Sequence, residues 1–239
     1  MSEQGTYEVF TLLGLDGIMT SFATVTGVAG GGLSHIVILI LGIAHLFADG
    51  LSMGMGDVLS TKAMNEYTLE ERKREEWEMK HNFPGEQAEM VEIFINKFGF
   101  TPTDANAFID MLSKYPKAFL DLMMIVELEL LPTNESVSPY INGLVTMISF
   151  AVFGAVPLCP YLLCLMGIDV PLEWLLPLAV LLTLLTLFML GLVKAKIVGI
   201  QNKLRMIKGG SEIALQGLVV AGLGYSVSFL VRKLTNQDF

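Results

Sequence analysis

Charge is scarce in this chain. Asp, Glu, Lys and Arg make up only 16% of its 239 residues, against about 25% in soluble domains. Hydrophobic residues make up 53%, and the mean hydropathy is +0.59. An ordinary soluble domain is therefore not expected. Basic residues are in the minority, 15 Lys and Arg against 24 Asp and Glu, so no nucleic-acid partner is expected either. The N-terminus lacks a basic n-region, and the first apolar stretch runs too long before any A-x-A-like site, so no cleavable signal is expected. There are two cysteines, Cys159 and Cys164, beside Pro157 and Pro160 in one apolar stretch; they read as buried reduced thiols near a kink. The run Gly27-Val28-Ala29-Gly30-Gly31-Gly32 lacks the lysine and the preceding strand of a phosphate loop and reads as a tight turn.

Long apolar runs, by contrast, are plentiful. About 20 residues of helix cross the roughly 30 Å of hydrocarbon in a bilayer, and five stretches reach that length: Val9–Ala29, Leu33–Leu59, Tyr140–Gly167, Leu172–Val193 and Ile213–Val231. The first is the most polar, with Asp16 and several Thr and Gly residues. Eight of the 15 basic residues lie between the second and third stretches and five between the fourth and fifth. With five spans these loops share one side, which the excess of Lys and Arg makes cytoplasmic. The N-terminus then faces the cytoplasm and the tail after Arg232 the opposite side. No basic residue stands near Asp169, in a loop placed on that opposite side. The expected fold is an all-α membrane protein: spans one and two in residues 1–60, an inserted cytoplasmic helical domain in 61–139, and spans three to five in 140–239.

The insert is acidic. Between Glu66 and Glu135 fifteen acidic residues face seven basic ones. Thr68 to His81 is a charged helical pattern with almost no apolar face, as expected if the second span continues as one helix into the cytoplasm. Pro84 opens a further helix, with an apolar face at Val91, Phe94, Ile95 and Phe98 and a stop at Gly99. Thr101-Pro102-Thr103-Asp104 caps a short helix through Leu112, and Pro116 to Leu131 forms an amphipathic one. Asn134-Glu135-Ser136 matches a glycosylation sequon, placed by this topology in the cytoplasm, where it would go unused.

Two sets of residues carry chemistry. His45, Asp49, Met53 and Asp57 follow one another at intervals of four and form a slowly drifting stripe on one helix. An ionised Asp at bilayer depth costs roughly 2.5–3.5 kcal/mol on insertion scales, so such residues usually line a cavity or ion path. Carboxylate, imidazole and thioether in one row are candidate metal ligands. In the insert, Glu75 and Glu78 lie one turn apart, as do Glu86 and Glu89, while Met123, Met124 and Glu127 share a helix region. Crowded carboxylates repel unless a cation sits between them, and oxygen ligands with an occasional thioether suit Fe²⁺ or Mn²⁺. On spacing alone, a solvated helix face accounts for these glutamates better than a metal site does. Gly50 and Gly54 permit close helix approach, as at a dimer interface.

Several of these pieces together resemble the vacuolar iron transporter family: Asp16-Gly17, Ala44 to Gly56 with Ser52-Met53-Gly54, Lys73-Arg74-Glu75, Asp121-Leu122-Met123-Met124 through Glu127-Leu128-Glu129, and Val156-Pro157-Leu158 with Pro160-Tyr161. The resemblance covers nearly the whole chain. It implies a dimeric five-span carrier, not an enzyme, that moves Fe²⁺ from the cytoplasm into a vacuole-like compartment in exchange for protons. It further implies a cytoplasmic metal-binding domain with ligands Glu75, Glu78, Glu86, Glu89 and Glu127, Met123 and Met124 nearby, and a path through Asp16 and Met53. Mn²⁺, Zn²⁺ or Co²⁺ would compete for the same site. His45 departs from the plant members' pattern, which has a glutamate there, and Asp49 stands where they have a small residue. A neutral imidazole binds transition metals and titrates near neutral pH, so proton coupling survives the swap. The alternative from a different class is a membrane metal sensor or buffer that binds divalent metal without moving it.

Overall fold

The computed structural model describes residues 3–131, 138–168 and 170–235, with side chains from residue 14 onward. The sequon at 134–136 and Asp169 lie outside the described residues. Among those described, every regular element is helical. The chain divides into two compact units, residues 1–58 with 139–239, and residues 59–138. Helix α2 (His35–His81) contributes its first half to one and its second half to the other. At 1.5 Å per residue its 47 residues run about 70 Å.

The first unit holds α1 (Glu3–Gly30), the start of α2, α6 (Pro139–Gly154), α7 (Cys159–Leu165), α8 (Leu172–Ile197) and α9 (Lys203–Thr235). Among the described residues, four helical stretches are long and apolar enough to cross a membrane: α2, α6 with α7 taken as one, α8 and α9. Helix α1 packs against α6, α8 and α9 and buries Leu15, Ile18, Phe22 and Val25. The expected third span is broken. Between α6 and α7 a single 3₁₀ turn covers Val156–Leu158, because Pro157 and Pro160 cannot donate the backbone hydrogen bonds that a continuous helix requires. Gly50 and Gly54 turn out to serve packing inside the chain. A methyl group on Gly54 would lie 2.7 Å from the Gly143 carbonyl oxygen, and Gly50 faces Phe150. Close approach between α2 and α6 needs a residue without a side chain at position 54.

The second unit is built from the rest of α2 with α3 (Phe83–Phe98), α4 (Pro102–Leu112) and α5 (Pro116–Val126). Gly99 ends α3 in the left-handed conformation at φ 72°, and Thr101 accepts the Asp104 amide at the start of α4. Met90, Phe94, Ala105, Ile109, Phe119, Met123 and Val126 form its core. On α3 the buried row is Glu86, Met90 and Phe94, so a carboxylate lies in line with the core. Val91 and Ile95 flank that row, while Phe98 is exposed. Helix α5 stops at Val126, five residues before the Leu131 expected from the sequence. Glu129 takes a positive φ of 55°, and the Leu130 amide turns back to the Met124 carbonyl. Lys97 fixes this end by donating to the Val126 carbonyl at 3.1 Å and to Glu129 at 2.7 Å.

Candidate metal centre and polar stripe

In the second unit the continuous α2 and the buried face of α3 bring acidic residues from two helices together. Glu75 and Glu78 come from α2 and Glu86 from α3, and one oxygen from each lies within 4.8 Å of the others. Glu75 is only 1% exposed and Glu86 5%. A charged group so deeply placed needs a partner. Glu75 Oε1 has one in the Arg74 guanidinium at 2.9 Å, but Glu75 Oε2 is buried with no hydrogen-bond partner, and so is Glu127 Oε2.

The protonation equilibria register the crowding. Burial, followed by the charges of Glu75, Glu89, Glu86 and Glu78, pushes Glu127 up to about 7. Glu86 is raised by burial and then by Glu75, Glu78 and Glu89. Burial also raises Glu75, against the pull of its hydrogen bond from Arg74. The other four glutamates singled out in the sequence thus all act on Glu127. Glu89 is exposed and, with Glu92, Lys97 and Glu127, lines a cavity of about 450 Å³. Buried carboxylate oxygens without donors, converging from two helices, form a hard-oxygen donor set suited to a small divalent cation. The thioethers are placed otherwise: Met123 fills the apolar core and Met124 is buried beside it.

In the first unit His45, Asp49, Met53 and Asp57 are all partly buried. They lie one position before Leu46, Gly50, Gly54 and Val58, of which both glycines are buried. The opposite face carries exposed Phe47, Leu51, Met55 and Leu59. The stripe thus runs along the seam between the packed and open faces of α2. His45 Nδ1 lies 3.2 Å from Asp49 Oδ2, its ring meets Phe150 edge-on at 6.1 Å, and its Nε2 is buried without a hydrogen-bond partner. Thr146 of α6 donates to Asp57 Oδ2 at 2.7 Å. Asp16 is exposed on α1, where its carbonyl accepts from Thr20 at 2.9 Å. The described contacts do not join it to the α2 stripe.

Four residues that stand beside these groups receive no role of their own from the sequence. Thr146 and Ser149 are buried hydroxyls on α6, with no signal in one sequence beyond their presence in an apolar span. Glu71 precedes Glu75 by one turn and is mostly buried, its side chain 15% exposed, so its spacing from Glu75 was a usable signal. Arg74 touches three carboxylates, and only the folded arrangement reveals that.

The model of the VIT family matches residues 9–228. A protein of Toxoplasma gondii called a vacuolar iron transporter is 36% identical over 227 residues, which is 94% of this chain and 74% of that protein. A vacuolar iron transporter of Plasmodium berghei is 37% identical over 76% of this chain and 67% of its own length. Vacuolar iron transporter 1 of Arabidopsis thaliana is 28% identical over 91% of this chain and 82% of its own length. These relatives are transporters, not enzymes, and this chain belongs to the VIT family.

Proposed function

We propose that this protein moves Fe²⁺ from the cytoplasm into a vacuole-like compartment in exchange for protons, as a homodimer with five spans per chain. The observation that carries the reading is the convergence of Glu75, Glu78 and Glu86 within 4.8 Å, beside buried oxygens of Glu75 and Glu127 that lack donors. The resemblance to vacuolar iron transporters implies a cytoplasmic metal-binding domain, and residues 61–139 take that role here as a store. Glu89 and Glu127 complete the set, with Met123 and Met124 behind it. Mn²⁺ enters the same oxygen site, and Zn²⁺ and Co²⁺ compete for it. Helix α1 supplies the fifth span. Asp16, His45, Asp49, Met53 and Asp57 form the route, with residues 1–60 and 140–239 embedded in the membrane. A second copy covering the open face of α2 would bring that seam into an interior, where a cation path requires its polar groups.

Reconstitution into liposomes tests this reading. Fe²⁺ and Mn²⁺ uptake should rise when the liposome interior is acidic and collapse when the gradient is dissipated. Metal binding without uptake under any gradient would instead establish the sensor or buffer reading.

A further inference from the structure

Glu71, Glu75 and Glu78 follow at intervals of four and three on α2 and so share one face. The Arg74 guanidinium reaches all three. Its Nη2 donates to Glu75 Oε1 at 2.9 Å, its Nη1 lies 2.7 Å from Glu71 Oε2, and its Nε lies 3.6 Å from Glu78 Oε1. The Glu71 contact is a charge contact out of line for a hydrogen bond, since that oxygen has no hydrogen-bond partner. Two of the three carboxylates, Glu75 and Glu78, belong to the cluster that converges with Glu86. The Arg74 side chain is 50% exposed whereas that of Glu75 is 1% exposed. The guanidinium thus meets the cluster from its solvent side and can swing away without opening the core.

We propose that Arg74 is a built-in competing cation: it neutralises Glu75 and Glu78 while no metal is held, and a divalent ion displaces it toward Glu71 and solvent. This rests on the reading of the cluster as a divalent-metal site. A guanidinium is always protonated and offers only donors, so it cannot join the metal's ligand set. It can only oppose the metal's charge. Removing the last weak contact, at Glu78, frees one ligand first; yielding Glu75 Oε1 frees the second. The device lowers affinity, and a store that must hand its ion onward needs such weakening. A guanidinium that merely held Glu75 in position would have the opposite effect on loss, because its removal would loosen a ligand and weaken binding.

Calorimetric titration of the full-length protein in detergent with Mn²⁺, which keeps its divalent state in air, separates the two. Arg74→Gln should bind Mn²⁺ about tenfold more tightly at unchanged stoichiometry, the scale of a few half-exposed charge contacts. Arg74→Lys keeps the charge without the fork and should fall between it and the parent; it decides the matter if circular dichroism finds Arg74→Gln misfolded. Equal or weaker Mn²⁺ binding in the folded variant overturns the proposal. The pair Glu75→Gln with Glu78→Gln serves as the control. If parental Mn²⁺ binding survives in that pair, the metal site itself is wrong. If the pair loses binding and Arg74→Gln gains none, only the competition is wrong.

Discussion

Replacing Glu127 by Gln tests the electrostatics of the acidic cluster with little change of shape. In the folded chain burial and four neighbouring glutamates hold its carboxyl up to about 7, whereas an unfolded chain would hold it near 4.3. Between those values the folded state binds more protons than the unfolded one. Metal-free stability therefore falls as pH rises through the window from about 4.3 to 7 and stays low above it. The whole shift corresponds to roughly 4 kcal/mol, and screening by solvent at a partly exposed residue reduces this to about 2 kcal/mol. Glu127→Gln removes the charge, so in chelator it should stabilise residues 59–138 by about 2 kcal/mol at pH 8 and by only about a quarter of that at pH 5. For a unit of this size that is a rise in Tm of about 10 °C. Trp77, stacked on His81 at 4.2 Å, reports the transition by fluorescence in a Trp174→Phe background. The same variant should lose about tenfold in Mn²⁺ affinity, because one buried anionic oxygen is gone. An equal gain at both pH values, or a loss at pH 8, would refute the argument.

Three further outcomes are expected. Asp16→Asn should assemble normally, since removing a charge at bilayer depth relieves desolvation, yet transport should fall at least about tenfold if Asp16 meets the ion; near-normal uptake removes it from the route. His45→Ala should weaken pH-driven uptake more than metal binding measured without a gradient, and His45→Glu should restore much of it with a lower pH optimum; full pH-dependent transport in His45→Ala moves the proton to another group. Gly54→Val places two methyl groups against the Gly143 backbone, which should push α2 from α6, break the Asp57–Thr146 hydrogen bond and lower both Tm and uptake. An unchanged melt would mean that the two helices do not meet as closely as described.

Local signals were legible where a single residue type decides the backbone. Gly99 and the Thr101-Pro102 cap are of that kind, and both ends fall where the sequence puts them. The end of α5 was not legible, because no glycine or proline marks it. A positive φ at Glu129 and the reach of Lys97 from α3 set that end, and a contact between residues 32 apart in sequence leaves no local trace. The candidate ligands were readable as pairs at helical spacing, yet spacing alone could not tell a solvated face from a cluster. What separates them is that α3 turns Glu86 inward, in line with Met90 and Phe94. Arg74 stood in the sequence only as part of the Lys73-Arg74-Glu75 motif, with no partner legible; its meaning lies in touching three carboxylates at once.

The two sets of polar groups handle charge in opposite ways, and the contrast bears on how a carrier and a store divide their work. In the first unit each carboxylate on α2 with a described partner has its own: Asp49 has His45 at 3.2 Å and Asp57 has Thr146 at 2.7 Å. In the second unit Glu75, Glu78, Glu86 and Glu127 share one neighbourhood, in which the buried Oε2 of Glu75 and of Glu127 have no hydrogen-bond donor. A site of crowded anions binds a divalent ion collectively, so its affinity is high and it empties only when protons or another cation compensate the charge. A row of carboxylates each with its own partner binds weakly at each step, and movement along a path requires binding firm enough to enter and weak enough to leave. Under the proposed function, the acid that ends metal binding in the store is the species exchanged along the route. Raising the proton concentration from pH 8 toward 6 should therefore weaken metal binding through Glu127, whose carboxyl in the metal-free cluster is held up to about 7, before it protonates ordinary surface carboxylates near 4.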